Sequence, residues 1–167
     1  ISWLKLFHLI WVGGASISPE VVRFFRVIGV PLYQVYGMTE SAGLAFFQNA
    51  DKAIVGASGV AAPGLQYRIA DDGELEIKHP SVFLGYLDNQ KATEETVVDG
   101  WLQTGDVVEQ LDNGEIAIVD RKKSIIITSG GKNITPSEIE NALKDSIYIA
   151  EAIVVGEGRN FLGALLQ

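Results

Sequence analysis

Cysteine is absent from the 167 residues, and two further shortages narrow the classes of protein to which this sequence can belong. Without thiols the chain forms no disulfide and offers no thiolate metal ligand, which fits a reducing compartment such as the cytoplasm. No apolar run is long enough to span a bilayer, and the run at residues 4–12 lacks the flanks of a signal peptide. We therefore expect a cytoplasmic protein without a transmembrane segment.

Basic residues are also scarce, since 13 lysines and arginines stand against 21 acidic residues and the net charge is -8. A nucleic-acid partner requires cations clustered over a whole face, so this composition argues against one. Four of the 13 basic residues nevertheless fall within residues 121–132. This basic cluster indicates a local anion site in an acidic protein, and the alternative is an ordinary solvated turn.

The N-terminal part of the chain predicts a strand, a helix and a second strand. The apolar run at residues 4–12 predicts a buried strand that ends in a glycine turn. Ser18 as N-cap and Pro19 at the first helical position begin a helix that Gly29 ends. Residues 30–35 supply the second strand. This order predicts a parallel sheet with a right-handed crossover, and ligands collect at the carboxyl ends of such strands.

Alternating polar and apolar residues predict an antiparallel region further along the chain. Residues 65–70 and 73–78 form a half-exposed hairpin in this interpretation. Residues 89–98 predict a short helix. Residues 42–62 are rich in small residues, and their sequence predicts no particular secondary structure.

A second predicted hairpin has an Asn-Gly dipeptide at residues 113–114 as its turn. Two β-type runs, residues 106–111 and 115–120, flank this dipeptide, which is typical of a type I′ turn. The hairpin should place Asp106 and Asp120 at the same end, where the basic cluster begins. A carboxylate beside cations suits a ligand that carries both hydroxyls and phosphates, such as a sugar nucleotide.

The C-terminal part predicts a small α+β unit. Residues 124–128 are strongly β-branched and predict a strand, and residues 135–138 predict a capping box that begins a helix. Residues 149–155 and 161–166 predict two more strands. The expected buried stripe of the helix consists of Ile139, Ala142 and Leu143.

Three motifs occur in order along the chain, namely Tyr36-Gly37-Met38-Thr39-Glu40-Ser41, Gly100-Trp101-Leu102-Gln103-Thr104-Gly105-Asp106 and Asp120-Arg121-Lys122-Lys123. In sequence, order and spacing they resemble core motifs of the adenylate-forming superfamily, which contains acyl-CoA synthetases, luciferases and peptide-synthetase adenylation domains. Residues 125–134 look most similar to long-chain acyl-CoA synthetases, and the resemblance covers nearly the whole chain from Gly13 onward.

The resemblance implies an α/β fold in two parts. Residues 1–119 would be the C-terminal portion of the large AMP-binding domain, with the edge of a parallel sheet and a small antiparallel β-barrel. Residues 120–167 would be the hinge, at Asp120, and an incomplete small α+β domain. Because the chain starts at Ile1 rather than Met, we expect an excerpt of a longer polypeptide that carries the superfamily's phosphate loop upstream and its late lysine downstream.

The resemblance also implies a nucleotide site that binds ATP and Mg²⁺. Tyr36 would stack on adenine with Gly37 beside it, Thr39 would contact the α-phosphate, and Glu40 would hold Mg²⁺, which makes Thr39 and Glu40 the catalytic pair. The residues alone equally permit Tyr36 as a core residue and Thr39 and Glu40 as a helix cap. The turn that lines the adenine pocket would consist of Gly13, Gly14 and Ala15.

The remaining implied contacts involve ribose and coenzyme A. Asp106 would accept hydrogen bonds from both ribose hydroxyls, as an acceptor-only carboxylate can, and Arg121 would reach ribose or phosphate. Gly130 and Gly131 would admit the pantetheine arm of coenzyme A, and Lys132 would bind a coenzyme A phosphate. The alternatives are that Asp106 is a turn residue and that Lys132 is an ordinary surface lysine.

The activity implied by the resemblance is ligation of a long-chain fatty acid to coenzyme A. The parent enzyme would use ATP to form acyl-adenylate and pyrophosphate, and would then transfer the acyl group; peripheral membrane association of the parent fits such a substrate. The 167-residue chain alone would be inactive. Two other functions remain open, namely an adenylation domain that loads a carrier protein and a non-catalytic nucleotide-binding remnant.

Overall fold

The computed structural model describes residues 9–15 and 17–167, so most of the predicted strand at residues 4–12 lies outside the described residues. The chain divides into two compact units, which are described separately. The first runs through Thr104 and includes Val108–Ile118, and the second comprises Gly105–Val107 and Val119–Gln167. The predicted domain boundary between residues 119 and 120 stays a prediction. In the described ranges no helix is long and apolar enough to cross a membrane.

The first unit begins with the predicted strand, helix and strand. Strand β1 (Ile10–Val12) pairs in parallel with β2 (Leu32–Tyr36), and helix α1 (Pro19–Val27) connects them. The Ser18 hydroxyl accepts the Glu20 N–H at 3.3 Å, and the helix is followed by a glycine at φ +85°. The predicted cap, proline and glycine stop are therefore confirmed.

The prediction that the first strand is buried is wrong for its described residues. Among the described residues, strand β1 is the outermost of a four-stranded sheet in the order β1, β2, β3 (Phe46–Phe47), β4 (Val60–Ala61). Its central residue, Trp11, is 50% exposed. The two short antiparallel strands arise within residues 42–62, where the sequence specified little, and bury Phe46 completely.

A five-stranded antiparallel sheet follows, and its predicted first hairpin is confirmed. Strand β6 lies between β5 and β8, and its first four residues are buried, so the half-exposed character expected of the hairpin holds only for β5. The short helix predicted over residues 89–98 forms as α2 (Gln90–Thr96), with Asn89 as its N-cap, but residues 97–98 form a strand instead. The strands are β5 (Gln66–Ile69), β6 (Glu74–Lys78), β7 (Val97–Val98), β8 (Trp101–Gln110) and β9 (Ile116–Arg121).

The hairpin of β8 and β9 forms as predicted, but its type I′ turn does not. A type I′ turn needs positive φ at two central residues. Asn113 does not have a positive φ, whereas Gly114 has φ +84°. Only one of the two residues therefore meets this requirement. The Gly114 N–H donates to the Leu111 carbonyl at 2.8 Å, and the Leu111 N–H to the Glu115 carbonyl at 2.8 Å. The connection is therefore a three-residue loop with a left-handed glycine, and the Asn113 side chain accepts the Glu115 N–H at 3.1 Å.

The second unit contains the predicted α+β elements. Strands β10 (Ile126–Ile127) and β11 (Asn133–Ile134) form an antiparallel pair, as do β12 (Ala152–Val155) and β13 (Gly163–Leu166). Helix α3 (Pro136–Lys144) packs on β12. The three strands predicted in this region form, each over a shorter range than expected, and β11 is an additional strand.

The capping box predicted for α3 is wrong. Thr135 occupies the N-cap position, but its side chain makes no capping hydrogen bond. The Ser137 N–H donates instead to Asp120 Oδ2 at 3.2 Å, and the Ser137 hydroxyl donates to the Val119 carbonyl at 3.4 Å. A carboxylate from β9 thus replaces the local cap.

The buried stripe predicted for α3 is also only partly correct. Ile139 and Leu143 are half-buried, whereas Ala142 is exposed. Pro136 is the only buried residue of this helix, which packs on β12.

Candidate nucleotide site

The first group of predicted residues lies in the turn that follows β2. Thr39–Ser41 form a single 3-10 turn whose last residue, Ser41, is 1% exposed. The Ser41 hydroxyl accepts the Met38 N–H at 3.1 Å and donates to the Met38 carbonyl at 2.9 Å. These bonds fix the backbone that carries Thr39, which is exposed, and Glu40, which is half-buried.

Gly37 has a packing role that the sequence did not reveal. A Cβ atom at this position would lie 1.9 Å from the Gly43 carbonyl oxygen. Real Cβ contacts are never this short, so the return of the chain after the turn requires glycine here. Its predicted place in a nucleotide site stays a prediction.

The predicted adenine residues are divided between the surface and the core. Gly13, Gly14 and Ala15 are exposed at the end of β1, and a Cβ at Gly13 would lie 2.6 Å from Val35 Cγ2. Tyr36 is half-buried, with its ring centroid 6.1 Å from that of Phe46. Part of Tyr36 therefore belongs to the core, and its stacking on adenine stays a prediction.

Glu40 is held by a residue that sequence reasoning missed. The Tyr86 hydroxyl donates to Glu40 Oε1 at 2.6 Å, and the Phe83 N–H donates to the Glu40 carbonyl at 2.8 Å. The bond to the Glu40 carboxylate raises the pKa of Tyr86 above its ordinary value, and burial adds to the rise. At neutral pH the hydroxyl keeps its proton and donates it. No local pattern links Tyr86 to a residue 46 positions earlier.

The second unit brings Asp106 and Arg121 together. Asp106, in β8, is 4% exposed, and Arg121 Nε lies 2.8 Å from Asp106 Oδ1. The Lys122 N–H donates to the Gly105 carbonyl at 2.8 Å and joins the two strands at this level. The predicted juxtaposition of this carboxylate with the basic cluster is confirmed. The Arg121 side chain is 60% exposed, whereas the carboxylate that it contacts is buried.

Asp120, the predicted hinge residue, joins two backbone groups. Its Oδ1 accepts the Arg121 N–H at 2.7 Å, and its Oδ2 accepts the Ser137 N–H at the start of α3. The carboxylate therefore ties the end of β9 to the first turn of the helix, where a negative charge also suits the helix dipole.

Replacing Asp120 by alanine should lower the free energy of unfolding by about 1 kcal/mol, because the first turn of α3 loses its acceptor. Amide exchange at Ser137 should accelerate, while exchange in β12 should stay the same. Asp120→Asn is the matched control, since it retains a side-chain oxygen and should lose less. Unchanged exchange at Ser137 in Asp120→Ala would show that the cap contributes nothing.

The predicted coenzyme A residues form the tip of the β10–β11 hairpin. The Gly131 N–H donates to the Thr128 carbonyl at 2.9 Å, and the Thr128 N–H to the Lys132 carbonyl at 3.0 Å. Gly131 has φ +74°, a left-handed conformation that favours glycine. Gly130 does not have a positive φ, and a Cβ at this position would meet nothing within 4 Å. Lys132 is exposed.

A groove of about 790 Å³ lies elsewhere in the second unit. Its lining combines the basic side chains of Lys123 and Arg159 with apolar residues such as Ile126 and Phe161. The glycines and the lysine of the β10–β11 tip do not line this groove.

The described residues do not form a cluster of side chains that could hold a metal ion without a further ligand. Across residues 9–15 and 17–167, no group of three or more His, Asp or Glu side chains converges. Glu40 instead offers one anchored carboxylate. This fits Mg²⁺, which commonly binds one or two carboxylates together with phosphate oxygens and water.

Comparison with known proteins assigns the chain to a family. The profile of the AMP-binding enzyme family matches residues 2–87, and that of the AMP-binding enzyme C-terminal domain matches residues 123–167. A long-chain-fatty-acid–CoA ligase of Mycobacterium bovis is 40% identical over 92% of this chain and 26% of its own length. A 2-succinylbenzoate–CoA ligase of Listeria monocytogenes is 39% identical over 89% of this chain and 32% of its own.

A solved structure shows the same fold. The O-succinylbenzoate coenzyme A synthetase of Bacillus subtilis, in complex with ATP and a magnesium ion, aligns with a TM-score of 0.83 and 28% identity. The alignment covers 99% of this chain and 39% of that one, so the chain spans well under half the length of these relatives. The α/β fold predicted from the sequence is thereby confirmed, and the chain belongs to the AMP-binding enzyme family.

Proposed function

We propose that this chain is part of an AMP-forming acyl-CoA ligase. The complete enzyme would convert a long-chain fatty acid and ATP to acyl-adenylate and pyrophosphate, and would then transfer the acyl group to coenzyme A. The observation that carries this proposal is the buried Asp106 carboxylate, 2.8 Å from the Arg121 guanidinium. One group suits ribose hydroxyls and the other suits phosphate, which is the combination that a nucleotide requires. The names of the relatives support the reaction class.

The proposed phosphate-binding part is the turn after β2. Thr39 donates its hydroxyl to the α-phosphate, and the glycine turn and Tyr36 flank the adenine. Mg²⁺, which supplies charge neutralisation to the phosphates when it is bound, would be held by Glu40. The Bacillus subtilis relative was solved with ATP and magnesium, which supports this assignment. The glycine turn consists of Gly13, Gly14 and Ala15, with Gly37 completing the site.

The proposed ribose part is Asp106, oriented by Arg121. The carboxylate accepts hydrogen bonds from the ribose hydroxyls, and the guanidinium holds its Oδ1 atom.

The proposed thioester-forming part lies beyond Asp120. Residues 1–119 would belong to the large domain and residues 120–167 to the small one, with Asp120 as the hinge. Gly130 and Gly131 would leave room for the pantetheine arm of coenzyme A, and Lys132 would bind one of its phosphates. We also propose a cytoplasmic enzyme whose long-chain substrate brings it to membrane surfaces.

Acid-dependent exchange of pyrophosphate into ATP by the complete enzyme tests this function. Long-chain fatty acids and 2-succinylbenzoate should be compared, because the relatives include ligases for both kinds of acid. Exchange together with acyl-CoA formation supports the proposal. Exchange without transfer to coenzyme A indicates an enzyme that loads a carrier protein, and the absence of both indicates a non-catalytic protein.

The 167-residue chain by itself should show turnover no higher than background. Charge stabilisation at the transferring phosphate is a large share of catalysis in such reactions, and the phosphate loop and late lysine typical of the superfamily are not among these residues. The purified chain can be assayed for acid-dependent release of AMP with the complete enzyme as the positive control. Robust release by the chain alone would refute the prediction.

A further inference from the structure

The turn that carries Glu40 is attached to a segment 40 or more positions later in the chain. Three hydrogen bonds join them: the Ser81 hydroxyl to the Ser41 carbonyl at 3.1 Å, the Phe83 N–H to the Glu40 carbonyl at 2.8 Å, and the Tyr86 hydroxyl to Glu40 Oε1 at 2.6 Å. Two of these bonds fix the backbone of the turn. The third is the one that reaches the carboxylate, and it therefore determines where that charge lies.

Tyr86 is itself held in place, so its hydroxyl is a fixed donor. The Tyr86 N–H donates to Thr93 Oγ1 at 2.9 Å, and the Tyr86 ring meets the Phe83 ring edge to face, with centroids 4.8 Å apart. Gly85 precedes it at φ +147°, and a Cβ there would lie 2.7 Å from Thr93 Cγ2. Backbone, ring and hydroxyl are thus each constrained by a different neighbour.

We propose that Tyr86 is a positioning residue that presents the Glu40 carboxylate to the divalent cation of the nucleotide. This inference rests on the proposed function, because it assumes that Glu40 meets a metal bridged by phosphates. A glutamate side chain has several rotatable bonds, and an unanchored one loses that freedom when it binds a metal. By holding Oε1, the Tyr86 hydroxyl removes most of this cost in advance. Such outer partners orient the ligand and are typically worth about 10- to 100-fold in metal affinity.

The alternative is that the Tyr86–Glu40 bond only stabilises the fold. The two roles predict different results for Tyr86→Phe, which keeps the ring against Phe83 and removes the hydroxyl alone. A structural role changes the unfolding temperature and leaves metal affinity intact. A positioning role changes metal affinity even where the folded protein is otherwise unaltered.

The experiment uses Mn²⁺ as a paramagnetic probe, titrated into the complete enzyme with a non-hydrolysable ATP analogue and followed by water proton relaxation. Tyr86→Phe should weaken Mn²⁺ binding about 10- to 100-fold, without changing the affinity for the analogue in the absence of metal. The Mg²⁺ concentration for half-maximal exchange should rise by a similar factor, while KM for the acid stays the same. Tyr148→Phe is the matched control, since that side chain is 87% exposed.

A double-mutant cycle shows whether Tyr86 acts through Glu40. In the Glu40→Gln background, adding Tyr86→Phe should not weaken Mn²⁺ binding further. Equal Mn²⁺ affinity in Tyr86→Phe and the parent would overturn the inference while leaving the proposed function intact. A parent enzyme that binds no Mn²⁺ with the analogue would instead overturn the metal assignment on which it rests.

A structure of the unaltered enzyme with Mn²⁺ and the analogue provides a second test that needs no variant. We expect the Tyr86 hydroxyl to remain on one carboxylate oxygen of Glu40 while the metal binds the carboxylate. A Glu40 side chain rotated away from Tyr86 to reach the metal would overturn the inference.

Discussion

Replacing Asp106 by alanine in the complete enzyme should lower kcat/KM for ATP by about 100-fold or more. The carboxylate is expected to accept two ribose hydroxyls, and hydrogen bonds to charged groups contribute about 1.5–3 kcal/mol each. The substitution also removes the carboxylate that Arg121 contacts at 2.8 Å. KM for the acid should change little, because the proposed contact is to the nucleotide. Steady-state kinetics with ATP and acid varied separately will measure both effects.

Two further variants control for this result. Asp106→Asn keeps one acceptor oxygen and should lose less activity than Asp106→Ala. Asp112→Ala removes an exposed aspartate from the loop of the same hairpin and should leave the ATP parameters unchanged. If Asp106→Ala and the parent enzyme had equal ATP parameters, Asp106 would not belong to the nucleotide site.

Gly37→Ala should strongly destabilise the first unit, although it adds a single methyl group. The new Cβ would lie 1.9 Å from the Gly43 carbonyl oxygen and 2.5 Å from the Gly43 carbonyl carbon, both backbone atoms. Because no rotamer change can relieve a backbone contact, the turn that carries Thr39 and Glu40 must shift. We expect a loss of about 3 kcal/mol in the free energy of unfolding. Chemical denaturation of the purified variant measures this loss.

Gly130→Ala is the matched control for stability, since its Cβ would meet nothing within 4 Å. It should unfold within about 0.5 kcal/mol of the parent protein. If Gly37→Ala were as stable as Gly130→Ala, the close approach of residues 37 and 43 would not constrain the turn.

Features with a local cause could be predicted from the sequence. Helix α1 begins at Ser18 and Pro19 and is followed by Gly29, because caps and stops depend on residues within a few positions. The hairpin of β8 and β9 likewise follows from a turn signal between two β-type runs. The hairpin places Asp106 at the same end as Asp120 and the basic cluster, so the proximity of this carboxylate to cations was predictable without knowledge of the rest of the fold.

Features with a distant cause could not be predicted. Tyr86 reaches Glu40 across 46 positions, and Asp120 caps α3 from 17 positions away, so neither contact leaves a local pattern. The turn at Gly114 differs from type I′ because the Asn113 side chain accepts the Glu115 N–H, a choice that the dipeptide alone does not determine. The burial of β6 depends on its position between two other strands, which is a property of the sheet.

The cap that Asp120 provides to α3 also has a consequence for populations of conformers. If Asp120 turns as the proposed hinge, its carboxylate cannot keep both the Arg121 N–H and the Ser137 N–H in every orientation. A cap worth about 1 kcal/mol corresponds to a factor of about five in an equilibrium constant. The Ser137 bond by itself therefore contributes about that factor in favour of the conformer that retains it. Differential binding of a substrate to the other conformer must exceed this bias before the equilibrium reverses.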